Sequence, residues 1–260
     1  MKSKNLSNNF IKFLGTAGAR FVMIRQLRSS AGVWISAKGK NIILDPGPGS
    51  IVRCALSRPK LDPANLDAII LTHRHLDHSG DVNVMIEAMT EGGFKKRGTL
   101  FLPSDAIEKD PIVFSYLKGF IQNIELMKPL TKYKLGDFEF QTSMKLMHPV
   151  ETYGIKFMLK DKKVAFLVDT KYFKELKNFY KDLDILIISV VFYQPHPEVE
   201  HLCLEDVEKI LKETEPKKAI LTHFGMSMLK AKPHLLAEEL SKKLNLEIVS
   251  AYDGMLLDFN

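Results

Sequence analysis

Residues 71–81 read Leu-Thr-His-Arg-His-Leu-Asp-His-Ser-Gly-Asp, which places three imidazoles and a carboxylate within six positions. Imidazole and carboxylate together are the ligand set of zinc and its first-row neighbours. The segment follows the apolar run 66–71, so a strand that ends in a tight turn could aim these side chains at one point. Because one zinc ion takes about four ligands, this segment alone could fill one structural site, with His73, His75, Asp77 and His78.

Three further residues of ligand type each stand at the end of a separate apolar, strand-like run. His148 ends the run 143–147, Asp169 ends the run 164–168, and His223 ends the run 219–222. A buried carboxylate at a strand end is unfavourable unless it is paired or bound to metal, although Asp169 could instead cap a helix. An isolated histidine in such a place is more often an ordinary hydrogen-bonded residue. Five of the eight histidines share the pattern, however, which favours a joint two-metal hydrolytic site.

The spacing inside the first motif suggests how it serves two positions. Residues two apart in a strand share a face, so we expect His73 and His75 to point the same way. Asp77 and His78 are predicted to lie in the turn before a helix that starts at 79–81, where they would face a second position.

Helical patterns and strand-like runs both occur along the chain around these residues. Helical patterns occupy 50–56, 82–89, 172–180, 204–214 and 233–243. Strand-like runs occupy 10–14, 33–35, 41–44, 68–71, 100–102, 138–140, 155–159, 164–168, 185–190, 219–221, 248–249 and 255–257. The early strands are meanders and the later ones alternate with helices, which predicts a mixed α/β fold. The segment 91–131 is the least regular, and we predict one domain, residues 1–260.

Composition narrows the class of protein. The 45% apolar and 26% charged content is typical of globular proteins, and no run approaches the roughly 20 apolar residues of a membrane helix. The amino terminus shows no signal peptide, and Cys54 and Cys203 are predicted to be small buried side chains rather than a disulfide framework. We therefore expect a cytoplasmic protein. The net charge of +6 favours anionic partners such as phosphate esters or RNA, although the lysines are spread as on solvated helices.

The order His-x-His-x-Asp-His, then a lone His, an Asp and a final His resembles the metallo-β-lactamase fold superfamily across nearly the whole chain. This resemblance implies a four-layer αββα sandwich with a dinuclear site at one edge. It implies that Asp169 bridges two metals and that the early Asp45 supports a ligand, although Asp45 could also simply form a turn before Pro46. The implied ligands are His73, His75 and His148 for one metal, and Asp77, His78 and His223 for the other.

Within that superfamily the chain resembles ribonuclease Z and the phosphonate-pathway cyclic phosphodiesterases. The features that carry this are Phe-Leu-Gly-Thr-Ala-Gly at 13–18, His-Pro-Val-Glu-Thr-Tyr-Gly at 148–154, and His201 ahead of a helix. The resemblance implies that His201 acts on the leaving group or the phosphate. The interval between His148 and Asp169 lacks the flexible arm with which ribonuclease Z usually grips tRNA, which favours a small phosphodiester substrate.

These residues predict a metal-dependent hydrolase, most simply a phosphodiesterase that acts on small or cyclic phosphodiesters or RNA 3′ ends. A water between two cations about 3.5–4 Å apart loses a proton near neutral pH, and this metal-bridging hydroxide would attack phosphorus or a carbonyl carbon. Asp77 would orient the hydroxide and His201 would protonate the leaving group. Two zinc ions are expected, and manganese or iron accept the same ligands.

Two other functions stay open at this point. An ester, thioester or lactone hydrolase of the glyoxalase-II or lactonase kind shares the seven ligands, although it has less need of an acid such as His201. A non-enzymatic binding protein could be stapled by metal, although Asp77 exceeds what a closed four-ligand site requires. The expected partners are an anionic small molecule or RNA and no membrane. The resemblance also favours a homodimer.

Overall fold

A computed structural model describes residues 9–108 and 110–259, which contain fourteen strands in two sheets. The first sheet contains β1 (Phe10–Phe13), β2 (Val33–Ala37), β3 (Lys40–Leu44), β4 (Ala68–Ile70), β5 (Arg97–Leu102) and β6 (Ile121–Leu126). The second contains β7 (Lys132–Leu135), β8 (Phe138–Thr142), β9 (Ile155–Leu159), β10 (Lys162–Leu167), β11 (Ile185–Ser189), β12 (Lys218–Thr222) and β13 (Glu247–Ser250). The last strand, β14 (Leu256–Asp258), returns to the first sheet beside β1.

The helices are mostly short and join the strands. They are α1 (Ala19–Ile24), α2 (Ser50–Leu56), α3 (Leu76–Ser79), α4 (Val82–Met89), α5 (Leu176–Tyr180), α6 (Leu204–Thr214), α7 (Met226–Lys230) and α8 (Pro233–Leu244). No helix in the described part of the chain is both long enough and apolar enough to cross a bilayer.

Both sheets follow the same plan, with an antiparallel part and a parallel part. Strands β14, β1, β2 and β3 pair antiparallel, and β3, β4, β5 and β6 continue as a parallel set. In the second sheet β7 to β10 are antiparallel and β10 to β13 are parallel. The prediction was that antiparallel strands come first and that strands alternating with helices follow. This order is present in each sheet, so it occurs twice along the chain.

The side chains of the first sheet alternate between two hydrophobic clusters. Ile35 and Ile42 point toward the second sheet, whereas Trp34 and Ile43 lie in a separate cluster with Met85 of α4. Helices α5, α6 and α8 contribute to the cluster that contains the second sheet. This alternation, with period two, puts helices on both outer faces and confirms the αββα sandwich. One cluster draws on both sheets, and the single domain over 1–260 stays a prediction.

The twelve runs from 10–14 to 255–257 each correspond to a strand, the run 143–147 does not, and two strands went unpredicted. Both β6 and β7 lie at sheet edges, and their mixed polar sequences Ile-Gln-Asn-Ile-Glu-Leu and Lys-Tyr-Lys-Leu carry little apolar signal. The segment 91–131 is consequently more regular than predicted, since it holds β5 and β6. The prediction of a helix over 172–180 was wrong in its start, because α5 begins only at Leu176.

Two smaller predictions concern the cysteines and the amino terminus. Cys54 and Cys203 are both buried and free, as predicted. The amino-terminal stretch that was inspected for a signal peptide lies outside the described residues.

Candidate metal centre

The seven ligand-type residues meet at one edge of the sandwich. The strands β4, β10 and β12 end at Ile70, Leu167 and Thr222, just before the segments that carry most of these residues. Strands β10 and β12 both run parallel to β11, so their carboxyl ends lie at the same edge of the second sheet, and the approach of His73 and His78 to Asp169 brings the end of β4 beside them. A crevice beyond the carboxyl ends of parallel strands is where α/β folds bind ligands.

The local backbone differs from the prediction at five of the seven positions. His73 and His75 lie in a loop beyond β4 rather than on the strand, so strand alternation does not set their directions. Asp77 and His78 lie inside the four-residue helix α3, not in a turn before a helix. The run 143–147 is irregular, so His148 projects from the loop between β8 and β9. The expectation that Asp169 could cap a helix was wrong, because α5 begins after Glu175.

The structure divides the candidate ligands into two groups. In each group the ligand atoms lie within 4.8 Å of one another. We call the set His73, His75 and His148 the first group, and the set Asp77, His78, Asp169 and His223 the second group.

Within each group, imidazole nitrogens approach each other closely. In the first group His148 Nε2 lies 3.0 Å from His75 Nδ1. In the second group His78 Nε2 lies 2.8 Å from His223 Nε2, and Asp77 Oδ2 lies 3.3 Å from His223 Nε2. Two imidazole nitrogens at such distances require a proton or a cation between them, because two lone pairs repel each other.

Asp169 is the member of the second group that also faces the first, and it is almost completely buried. Its Oδ2 is 3.8 Å from His73 Nε2 in the first group and 3.4 Å from His78 Nε2 in the second. Its Oδ1 is 3.5 Å from His223 Nδ1. One carboxylate therefore faces ligand atoms of both groups.

Hydrogen bonds orient three of the histidines so that Nε2 faces the centre. Thr72 Oγ1 gives its proton to Asp45 Oδ2 at 2.7 Å, so it can only accept from His73 Nδ1 at 3.1 Å. Asp45 Oδ2 also accepts from His78 Nδ1 at 3.0 Å. His148 Nδ1 donates to the carbonyl oxygen of Glu200 at 3.0 Å. In each ring the proton on Nδ1 leaves the Nε2 lone pair free to bind a cation, as in many metal sites.

Asp45 thus combines two roles that the sequence left open. It forms a turn, in which Gly47 N donates to its carbonyl oxygen at 2.7 Å, and its carboxylate holds His78 and Thr72. Thr72 itself was not identified from the sequence. Its position directly before His73 was the only available signal.

Four buried polar atoms of the cluster have no hydrogen-bond partner, namely His73 Nε2, Asp169 Oδ1, His201 Nδ1 and His223 Nδ1. An unsatisfied buried polar atom costs about 1–3 kcal/mol, so four of them in one place call for a partner. Imidazole nitrogens and carboxylate oxygens are the donors that zinc, manganese and iron accept. The residues present therefore fit divalent cations.

His201 joins this cluster from the segment before α6. Its Nδ1 lies 3.6 Å from Asp169 Oδ2, and its ring centre is 5.1 Å from that of His148. The predicted helix after it begins at Leu204. By contrast, His196 and His234 are exposed and lie outside the two groups.

The backbone comes unusually close to the cluster at Gly18. A side chain there would collide with the carbonyl oxygen and Nδ1 of His223. His223 itself has a φ of 59°, in the left-handed region that a residue with a Cβ rarely adopts. Strained backbone of this kind is concentrated at functional sites, where the surrounding contacts hold it in place.

Burial and charge shift the pKa values of the cluster in opposite directions. Burial lowers the pKa of His73, His75, His148 and His201 below the ordinary 6.5. Burial acts the same way on His78, but the nearby carboxylates, Asp77 first, outweigh it and raise the pKa of His78 well above 6.5.

The two central carboxylates stay ionised. Burial opposes ionisation of both Asp77 and Asp169, but the imidazoles around them outweigh it. His78 is the main partner of Asp77 and His223 that of Asp169, and the pKa of each carboxyl falls below its ordinary 3.8. Such strongly shifted groups in one crevice are typical of functional sites.

Comparisons with known proteins place these residues in a family. The model of a beta-lactamase superfamily domain matches residues 40–224. The protein MJ1374 of Methanocaldococcus jannaschii is 29% identical over 259 residues, which cover 95% of this chain and 94% of that protein. A ribonuclease Z of Borreliella afzelii is 24% identical over 321 residues, which cover 96% of this chain and 97% of the relative.

Solved structures share the fold over almost the same length. The metallo-β-lactamase fold protein YhfI of Bacillus subtilis matches with a TM-score of 0.79 at 21% identity, over 96% of this chain and 99% of that one. A diphosphatase of the PhnP family matches with a TM-score of 0.71 at 22% identity, over 96% of each chain. The domain model, the full-length relatives and the shared sandwich agree with the resemblance of the motifs, and the chain belongs to the metallo-β-lactamase superfamily of hydrolases, whose members generally bind divalent metals.

Proposed function

We propose that the protein is a phosphodiesterase with two divalent metal ions. The first group would hold one ion, and Asp77, His78 and His223 would hold the other. The observation that carries this proposal is the placement of Asp169, whose carboxylate faces His73 on one side and His223 on the other. A carboxylate between two ligand groups suits a shared, bridging ligand. A closed structural site would need only about four of the seven residues.

Two observations support phosphorus rather than a carbonyl carbon as the reacting centre. The first is His201, a half-buried imidazole beside Asp169 that could protonate an alkoxide leaving group. The second is the kind of relative, since one full-length relative is a ribonuclease Z and one protein of the same fold is a diphosphatase. The net charge of +6 also favours an anionic substrate.

Divalent cations bound at such a centre lower the pKa of water and neutralise negative charge that develops on a phosphoryl group. The residues of the chain supply the remaining functions. Asp77 is kept ionised by His78 and His223, so its carboxylate can accept a hydrogen bond from the attacking water and orient it. Asp45 and Thr72 hold His78 and His73 in the tautomers that present Nε2 to the centre.

His201 would act on the leaving group, whereas Asp77 would act on the attacking water. Burial lowers its pKa, so the ring is mainly neutral at pH 7 in the absence of substrate. A phosphodiester anion beside the ring would raise that pKa, because a nearby opposite charge favours the protonated imidazole. The protonated ring would then give its proton to the leaving oxygen.

A small substrate fits the structure better than a tRNA. The connection between β9 and β10 is a tight turn, because β9 ends at Leu159 and β10 begins at Lys162. No long segment is inserted between His148 and Asp169 to grip a large RNA. We therefore favour small or cyclic phosphodiesters, with RNA 3′ ends as the second substrate class.

Hydrolysis of bis(p-nitrophenyl) phosphate, a thioester and a lactone by one metal-stripped and reloaded preparation tests the proposal. We expect metal-dependent cleavage of the phosphodiester, lost in Asp169→Asn and retained in His234→Ala, whose histidine is exposed and outside the cluster. Cleavage of the thioester or lactone alone, indifferent to His201→Ala, would assign the protein to the carbonyl hydrolases. Metal binding without hydrolysis of any of the three substrates would favour a non-enzymatic binding protein whose fold is stabilised by the metal.

Zinc as the resident metal, with manganese or iron as alternatives, remains part of this proposal. The homodimer and the cytoplasmic location remain predictions from the sequence. Metal analysis of the purified protein and its mass in solution would test the metal and the dimer.

A further inference from the structure

Arg74 stands between two candidate ligands and points away from the centre. Its Nε donates to Asp105 Oδ2 at 3.3 Å, and its Nη1 donates to Asp110 Oδ2. Asp105 belongs to the segment after β5, so the guanidinium ties the loop of His73 and His75 to a neighbouring loop. A planar guanidinium with several donors is well suited to fix two carboxylates at once.

Asp105 is in turn tied to the loop that carries His148. Asp105 Oδ2 accepts from the backbone N–H of Glu151 at 3.0 Å. The side chain of Glu151 reaches back, and its Oε2 accepts from Ser104 Oγ at 2.6 Å and from the backbone N–H of Asp105 at 3.4 Å. The two segments, 46 residues apart in sequence, therefore bind each other reciprocally.

Tyr153 closes these contacts into a ring. Its hydroxyl donates to Glu151 Oε1 at 2.6 Å, and its backbone N–H donates to the carbonyl oxygen of Thr72 at 3.1 Å. Thr72 lies two residues before Arg74, where the path began. The ring of bonds runs from Arg74 through Asp105, Glu151 and Tyr153 to Thr72 and returns along the chain.

This ring joins the two loops that supply the first group, and it contains no residue of the second group, of which Asp77 and His78 follow Arg74 in α3. His73 and His75 lie on one loop, and His148 lies three residues before Glu151 on the other. The two loops are distant in sequence and come from different sheets, so contacts between neighbours along the chain do not join them. The second group has other support, since Asp45 holds His78 directly.

We propose that Arg74, Asp105 and Glu151 are positioning residues that set the separation of His148 from His73 and His75, and so set the metal affinity of the first group independently of the second. This inference rests on the proposed metal centre. None of the three would touch substrate or metal. They act through the distance between His148 Nε2 and His75 Nδ1, which is 3.0 Å.

Calorimetric titration of Zn²⁺ into the metal-stripped full chain tests this inference. His148→Ala and His223→Ala identify the binding phase that belongs to each group. We expect Glu151→Ala to weaken the first-group phase by about 10- to 100-fold, the usual effect of losing a supporting partner, and to leave the second-group phase unchanged. Glu151→Gln keeps an amide oxygen in place and should restore most of the affinity.

A matched control and a milder variant separate positioning from general destabilisation. Asp67→Ala removes a carboxylate that also accepts from a backbone N–H and pairs with a lysine, but it lies before β4, away from the ligand loops. It should leave both phases unchanged. Arg74→Lys keeps the positive charge but loses the planar guanidinium that donates to two carboxylates, so it should weaken only the first-group phase. This variant tests the inference even if Glu151→Ala fails to fold.

Imidazole NMR of the metal-stripped protein gives a readout that needs no metal. Glu151→Ala and Arg74→Lys should shift the ring resonances of His148 and His75 and leave those of His223 in place. Equal weakening of both binding phases, or no change in the first, overturns the positioning role while the proposed centre stands. Absence of any Zn²⁺ binding by the unmodified chain overturns the centre and this inference together.

Discussion

The two ligand groups use similar side chains but are held in different ways. The first group is assembled from two loops of different sheets, with His75 only half-buried, and hydrogen bonds near the surface connect those loops. The second group also has one half-buried member, Asp77, but its His78 donates directly to the buried carboxylate of Asp45. Asp169 touches both.

This difference has a physical consequence for each group. The ion pair of Arg74 with Asp110 is partly exposed, so solvent and salt screen it. The bond between Asp45 and His78 is buried, where an electrostatic interaction is stronger and its loss leaves an unpaired charge. We therefore expect the first group to be the more adjustable and the second the more firmly fixed.

The largest effect is expected from the residue that the groups share. Asp169→Asn removes the negative charge between them and should abolish binding at both, with a fall in phosphodiester cleavage of well over 100-fold, beyond the loss seen for supporting residues. Metal content and kcat/KM measured on one preparation test this. Retention of both metals with full activity would show that Asp169 does not connect the groups.

The next effect concerns His201, which lies beside both groups and would belong to neither. His201→Ala should slow cleavage of an alkyl phosphodiester by about 10²- to 10⁴-fold, the usual contribution of a general acid. It should hardly change cleavage of a nitrophenyl ester, whose leaving group needs no proton. Metal titration of the same variant should show both phases intact. An equal loss on the two substrates would contradict the proposed acid role.

A smaller effect is expected from the residues that hydrogen-bond to the candidate ligands, because each should change the metal affinity of one group more than that of the other. Asp45→Asn weakens the acceptor of His78 Nδ1 and should lower the affinity of the second group by about 10- to 100-fold, with a smaller effect on the first group through Thr72. The matched variant Thr72→Val removes the acceptor of His73 Nδ1 and should weaken mainly the first group. Zn²⁺ titration of both variants tests this. If both variants change the Zn²⁺ affinities of the two groups in the same way, Asp45 and Thr72 do not support separate groups.

The smallest effect is a difference in protonation between the groups of the metal-free protein. The imidazoles of His73, His75 and His148 should titrate below 6.5 and that of His78 above it. The first three stabilise the fold at neutral pH, and their contribution is lost as the pH falls below 6.5, where the unfolded chain takes up the protons. His78 stabilises it at low pH, and its contribution is lost as the pH rises through its raised pKa. NMR titration of the ring resonances measures both, and titration of all four below 6.5 would contradict the contrast.

The meeting of the candidate ligands in one place could be predicted from the sequence because their chemistry is rare and their neighbours are regular. Three imidazoles and a carboxylate within six positions are typical of metal binding, and the apolar runs before Asp169 and His223 mark β10 and β12 clearly. The αββα arrangement came from the resemblance, since hydrophobic patterns show where strands occur but not which sheet they join.

The parts that could not be predicted depend on contacts over long separations or on very short elements. Helix α3 has four residues, about one helical turn, so it leaves no periodic signal. Arg74 and Asp105 are 31 residues apart, and nothing local marks them as partners. Edge strands such as β7 are polar on one face, which hides them among loops.

Two metal ions in adjacent groups are proposed to act together on a phosphodiester. Stepwise addition of Zn²⁺ to the stripped chain, with bound metal and bis(p-nitrophenyl) phosphate cleavage measured at every step, tests it most directly. We expect the chain to bind two equivalents and cleavage to rise mainly as the second one binds. Full activity at one equivalent, or two bound equivalents with no phosphodiester cleavage, would contradict it.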